Sequence, residues 1–182
     1  TLGGAEVDLE IVREGPLYVE LRYTGEIALG EGNEASYVIA VEMPNSKSWV
    51  KMSLQVDDPD QRVRTLSFHS PLALGSHPWV WDFGTDRWTY GVLRNVDSSV
   101  VLTNEVEVGG LTRWWVDTGP KGQERLYETT GETDPVLPGW GHLQGAGEVV
   151  AFAVGQFGAT PGTYRITLDG AGQASFEVIP SD

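Results

Sequence analysis

The sequence predicts an all-β protein: an antiparallel two-sheet β-sandwich with little or no helix. Three observations carry this. Apolar and polar residues alternate with period two in short stretches along the whole chain. Turn signals built on glycine and proline, 23 and 10 of the 182 residues, separate those stretches. No segment repeats its apolar residues at the helical period.

The elements follow in order. Glu6 to Val12 alternates acid with aliphatic, and Leu17 to Tyr23 does so again after the turn at Gly15-Pro16. Gly30-Glu-Gly-Asn-Glu34 reads as a loop tip, and Ser36 to Met43 as a more apolar strand. From Trp49 to Val56, Trp49, Lys51, Ser53 and Gln55 face one way and Val50, Met52, Leu54 and Val56 the other. Asp57-Asp-Pro-Asp60 is a turn, and a strand is expected from Val63 to Phe68. Trp79 and Trp81 alternate with Val80 and so share a face, with Asp82 on the opposite one.

Tyr90 to Arg94, Ser99 to Thr103 and Leu111 to Val116 read as further strands. Thr118 to Gly139, rich in Gly, Pro, Thr and Glu, reads as a long loop with a short strand near Leu126-Tyr127. Glu148 to Val154 has the apolar run of a buried strand. Thr163 to Leu168 and Ala174 to Ile179 flank a turn at Asp169-Gly170 and close the chain. We expect one sandwich domain over 1–182, whether whole or cut from a larger protein.

Composition narrows the function classes. The formal net charge is −14, from 12 basic and 26 acidic residues. Such a surface repels phosphate backbones and anionic lipid, so neither nucleic acid nor a membrane is an expected partner. Zero cysteines exclude disulfides and thiolate metal sites. The three histidines lack zinc spacing. Asp57, Asp58 and Asp60 offer hard oxygens but not the spacing, glycine and distal glutamate of a calcium loop, so no metal is expected. With no phosphate-cradling glycine loop, no cofactor is expected either.

Seven tryptophans are the feature most directly tied to function. Five of them, Trp79, Trp81, Trp88, Trp114 and Trp115, fall in the middle of the chain. Indole, acid, arginine and tyrosine mixed between His77 and Tyr90 suit a carbohydrate site. Flat C–H faces of a sugar stack on aromatic rings, and its hydroxyls pair with charged groups. Tryptophan is also a core residue by area, and exposed aromatics also serve protein interfaces. Trp114 and Trp115, being adjacent, point to opposite faces of a strand. The expected ligand-binding residues are Trp81, Trp88, Trp114, Trp115 and Trp140.

Several blocks of the chain resemble a known family. They are Gly15-Pro-Leu-Tyr-Val-Glu-Leu-Arg-Tyr23, Tyr37-Val-Ile-Ala-Val-Glu-Met43, Lys47-Ser-Trp-Val-Lys-Met-Ser-Leu54, Gly139-Trp-Gly-His-Leu143 and Val149 to Phe157, with Pro161 and the closing Phe176-Glu-Val-Ile-Pro180. Together they are similar to the β-sandwich of galactose-mutarotase-like carbohydrate enzymes, and closest to the exo-rhamnogalacturonan-lyase-like family. The resemblance implies a supersandwich whose concave face holds a plant-type or acidic saccharide, and an extracytoplasmic or secreted setting.

Elimination from a uronic acid needs a group that neutralises the carboxylate and a base that takes the neighbouring proton. Tyr90, Arg94, Arg113 and His142 are the expected catalytic residues, with His69, His77 and Tyr127 as further candidates. His142 with Glu148, or His69 with Glu105, has the chemistry for acid–base work across a ring. Asp82, Asp86, Asp117, Glu124 and Glu128 supply carboxylates for hydrolysis. The same residues also fit a noncatalytic binding module, or a structural sandwich whose tryptophans are core and interface. The oligomeric state is left open.

Overall fold

The computed structural model describes residues 7–30, 33–85, 88–120, 124–129, 137–155 and 157–181. Among them there are only strands, turns and loops, so no helix is long and apolar enough to cross a membrane. All strand pairings are antiparallel. The chain divides into two compact units, 1–64 and 65–182.

Unit 1 is a four-stranded meander of β1 (Val7–Glu14), β2 (Tyr18–Gly30), β3 (Asn33–Pro44) and β4 (Lys51–Asp57). Period-two alternation in all four strands sorts the side chains into two faces. Register aligns Leu9, Tyr23, Ile39 and Leu54 in one row, and Ile11, Leu21, Val41 and Met52 in the next. Neither row contains a charge. The opposite face carries the ion pairs Arg22–Glu10 at 3.5 Å and Lys51–Glu42 at 2.7 Å. The hydrogen bond and the charge of Glu42 raise the Lys51 pKa above its ordinary value.

Unit 2 is a sandwich of two sheets. The larger has six strands in the order β10-β9-β8-β13-β14-β5. These are β5 (Leu66–Pro71), β8 (Ser99–Val106), β9 (Thr112–Gly119), β10 (Glu124–Glu128), β13 (Gly162–Asp169) and β14 (Gln173–Pro180). The smaller has four, β12-β11-β6-β7, with β6 (Trp79–Gly84), β7 (Trp88–Leu93), β11 (Trp140–Gln144) and β12 (Val149–Ala153).

Their inner faces form one core. Trp79, Trp81, Phe83, Leu93 and Leu143 come from the smaller sheet; Val100, Leu102, Trp114, Val116, Ile166 and Leu168 come from the larger. The β13 burial pattern, buried at every second residue, is the period-two signal of its sequence expressed in packing. Gly91 belongs to this packing, because the Trp81 indole lies across it and a Cβ there would come within 2.6 Å of the ring.

Three local expectations are corrected. The strand expected from Val63 begins at Leu66, and Gln61 takes a positive φ of 52° in the turn before it. Asp58 organises that turn, its Oδ2 accepting from the Val63 N–H at 2.6 Å. Val149 to Ala153 is an edge strand, not a buried one: Val149, Ala151 and Ala153 are exposed while Val150 and Phe152 pack inward. Within the expected long loop, β9 runs on to Gly119 and pairs with β10, while 121–123 and 130–136 lie outside the described residues.

Candidate functional site

The outer face of the four-stranded sheet brings together residues that are far apart in the sequence. In β6 and β7 the buried side chains alternate with outward ones, so Asp82 in β6 and Trp88, Tyr90 and Val92 in β7 point away from the core. Register sets Asp82 beside Tyr90 and Gly84 beside Trp88. On the other flank β11 pairs with β6, placing His142 beside Asp82. Ala151 of β12 follows His142. The central row therefore reads Ala151, His142, Asp82, Tyr90.

The next row is aromatic. Trp140 lies over Gly84, where any Cβ would overlap its indole. Trp88 stands on the far side of Gly84 and is 87% exposed, Tyr90 58% and Trp140 44%. Two strand spacings separate the backbones of Trp140 and Trp88 by about 10 Å, and Tyr90 is about 7 Å along β7 from Trp88. The missing side chain at Gly84 leaves room for the Trp140 ring on that row. The result is an open aromatic platform with an acid and an imidazole at its centre.

His142 Nδ1 lies 2.8 Å from Asp82 Oδ1. That oxygen is shielded from solvent and receives no aligned hydrogen bond among the described residues, so the contact is electrostatic proximity and not a well-aligned hydrogen bond. Both side chains are about one-third exposed. With Nδ1 turned to the carboxylate, Nε2 is the nitrogen of His142 left for a ligand.

The remaining sequence candidates lie elsewhere. Trp81 and Trp114, 1% and 0% exposed, are core residues with no ring face to offer a ligand. Trp115 points outward from the six-stranded sheet, where the Arg125 guanidinium covers its ring at 5.0 Å. Arg125 is held there by Asp117 at 2.6 Å and Glu128 at 2.9 Å. Partial burial works against its charge, and the hydrogen bond and charge of Asp117, then of Glu128, outweigh it, so its pKa is raised. Arg113 projects from the same outer face and pairs with Glu105 at 2.8 Å and Glu107 at 3.0 Å.

Arg94 follows the end of β7, its N–H donating to Ser98 Oγ at 3.3 Å, about 13 Å along the chain from Tyr90. Tyr127 packs against the core, and His77 stacks on Trp79 at 4.1 Å. His69 on β5 and Glu105 on β8 are separated by β13 and β14, so that pair does not form. Glu148 is exposed in the turn before β12, and His142 faces Asp82 in its place. Asp86 lies outside the described residues.

Sequence reasoning offers Asp82 only as one of five carboxylates for hydrolysis and misses its place beside His142. Its outward direction was readable from the Trp79-Val-Trp alternation, but its neighbour is set by register with a strand far along the chain. Among the described residues no group of three or more His, Asp or Glu is placed to hold a metal. Unit 1 forms a cleft of its own. It is lined by Leu17, Tyr18, Glu42, Pro44 and Trp49 and measures about 190 Å³. That is below the roughly 300 Å³ at which small-molecule sites begin. Compared with protein families, curated proteins and solved structures, the chain matches none.

Proposed function

We propose that this chain is a carbohydrate-binding β-sandwich module, and that the outer face of β12-β11-β6-β7 carries the saccharide. The observation that supports the reading is the row Trp140–Gly84–Trp88 with Tyr90 beside it. Three exposed rings lie on one sheet face around a polar pair, His142 and Asp82. The rings offer flat apolar surface to C–H faces, and Asp82, His142 Nε2 and the Tyr90 hydroxyl offer hydrogen bonds to sugar hydroxyls. The resemblance to rhamnogalacturonan-lyase-like sandwiches points to a plant-type or acidic saccharide, which carries with it an extracytoplasmic setting. The surplus of acidic residues argues against nucleic acid and anionic membranes as partners.

A catalytic, lyase-like reading draws support from the His142–Asp82 pair, since an imidazole beside a carboxylate has the chemistry of a base. Elimination also requires a group that neutralises the substrate carboxylate, and arginine is the expected one. Arg113 is engaged on the other sheet, and Arg94 stands off the end of β7, so binding without turnover is the better-supported reading.

The test is tryptophan fluorescence and calorimetry with pectic and neutral oligosaccharides, monitored in parallel for the absorbance of an unsaturated uronate. Saturable binding with no new absorbance is expected. Trp88→Ala or Trp140→Ala should each weaken it about tenfold or more, equivalent to about 1.4 kcal/mol. New absorbance would establish turnover, with His142→Ala as the variant that abolishes it. No response to any saccharide would remove the carbohydrate reading.

A further inference from the structure

Given the carbohydrate reading, on which this rests, we infer that the outer face of β12-β11-β6-β7 selects neutral saccharide chains over uronate-bearing ones. The aromatic row of Trp140, Gly84 and Trp88 carries no charge. Neither does the row on the other side of Asp82, where Val149, Gln144, Val80 and Val92 lie side by side. Between those rows, among the described residues of the face, Asp82 is the one carboxylate and His142 the one base. Along these strands the first cation is Arg94, beyond the end of β7 and about 13 Å along the chain from Tyr90. Glu148, exposed in the turn before β12, stands at that same end of the sheet. Asp86 and Arg87, between β6 and β7 in sequence, lie outside the described residues and have opposite formal charges.

A uronate chain brings a carboxylate with every acidic sugar. Laid across Trp88 and Tyr90, it sets like charge beside Asp82. In water-like surroundings a single repulsion at about 4–6 Å lowers affinity about threefold to sixfold, and more where the rings exclude water. The −14 of the whole chain adds a longer-ranged repulsion that salt screens. Hydrogen bonding discriminates in the same direction. Ionised Asp82 is acceptor-only, so it pairs with a sugar hydroxyl and cannot pair with a uronate oxygen.

A neutral sugar with equatorial hydroxyls has neither penalty. Its axial C–H bonds form a flat apolar face for an exposed ring, and its hydroxyls are donors for Asp82 and for His142 Nε2. The face is open, with Trp88 87% exposed on an edge strand. An open face touches only one side of each sugar, so affinity accumulates over several linked units and a single sugar gains little.

Calorimetry of the full 1–182 chain at about pH 8, above the ordinary histidine range, tests this. The probes are β-linked hexamers of glucose, xylose and mannose, their monosaccharides, and hexagalacturonate. At least one neutral hexamer should bind at least about tenfold more tightly than hexagalacturonate, and at least about tenfold more tightly than its own monosaccharide. Added salt should narrow the gap between the two classes by strengthening hexagalacturonate alone. Asp82→Asn removes the charge and keeps an acceptor, so it should narrow the gap at least about threefold. The salt titration reads the same repulsion on the unaltered chain, whatever the variant does to folding. Hexagalacturonate that binds as tightly as the neutral hexamers, or more tightly, overturns the inference and leaves the carbohydrate reading standing. So does a preference for neutral chains that neither salt nor Asp82→Asn reduces, or a monosaccharide that binds as well as its hexamer. No binding by any probe removes the inference together with the carbohydrate reading.

Discussion

Replacing Gly91 by alanine probes how tightly the inner face of the β6–β7 hairpin is filled. The new Cβ would lie 2.6 Å from Trp81 Cζ2, 2.8 Å from Cε2 and 2.9 Å from Nε1. Unstrained heavy-atom contacts begin at about 3.5 Å, so the indole must retreat by close to 1 Å. Trp81 has nowhere to go: it is 1% exposed and packs on Phe83 with ring centroids 5.4 Å apart. Overpacking of this kind costs about 1–3 kcal/mol. Alanine returns about 0.4–1 kcal/mol by restricting the unfolded chain. The net expectation is a loss of about 1–2 kcal/mol, or a fall in Tm of about 4–8 °C for a unit of this size.

Thermal unfolding followed by tryptophan fluorescence reads this directly, since Trp49 is the only tryptophan outside 65–182. Gly84→Ala is the matched comparison. Its Cβ would overlap Trp140, but that indole is partly in solvent and can swing away, so the change should stay within about 1 kcal/mol. The displaced ring should weaken saccharide binding instead. If Gly91→Ala is as stable as wild type, or if the two alanines cost the same, the assignment of Trp81 inside and Trp140 outside is wrong.

Other outcomes follow from the same structure. Ile166→Ala, at a fully buried position of the central strand β13, should lose about 2–5 kcal/mol in denaturant titration. Arg113→Ala should lose no more than about 1 kcal/mol, because both its ion pairs are solvent-exposed, and should leave any saccharide titration unchanged. The Tyr37 hydroxyl is buried with no hydrogen-bond partner among the described residues. Tyr37→Phe should therefore be neutral or raise the Tm by calorimetry, with a gain of up to about 1 kcal/mol.

Strand existence was legible because alternation is local. The Trp79-Val-Trp-Asp82 pattern gave both the strand and the two faces of β6, and Met52, Leu54 and Val56 gave the apolar face of β4. What failed was anything that depends on which strands meet. His142 reaches Asp82 because β11 pairs with β6, and no residue between them announces that pairing. Arg113 shares the sequence neighbourhood of Trp114 and Trp115 but sits on the other sheet from Tyr90 and His142. The apolar run of β12 looked buried because sequence cannot tell a strand with neighbours on both sides from one at an edge. Trp81, Trp88 and Trp140 are the same residue type with three fates, set by parity along the strand and by the glycines they lie against.

The two units also differ in how far the chain must search to build them. Unit 1 pairs only consecutive strands, so each hairpin closes over a short loop. Unit 2 must bring β5 to β14, with Phe68 opposite Phe176, and β8 to β13 across most of its length before its core can form. Long closures cost entropy before any contact rewards them, and such topologies fold slowly. Refolding from denaturant should therefore show a fast phase confined to Trp49 and a slower one carrying the other six tryptophans. In that interval unit 1 is formed while unit 2 is still open. The open unit 2 then exposes its core side chains, Trp81, Trp114 and Ile166 among them, which makes chain concentration during refolding a determinant of yield.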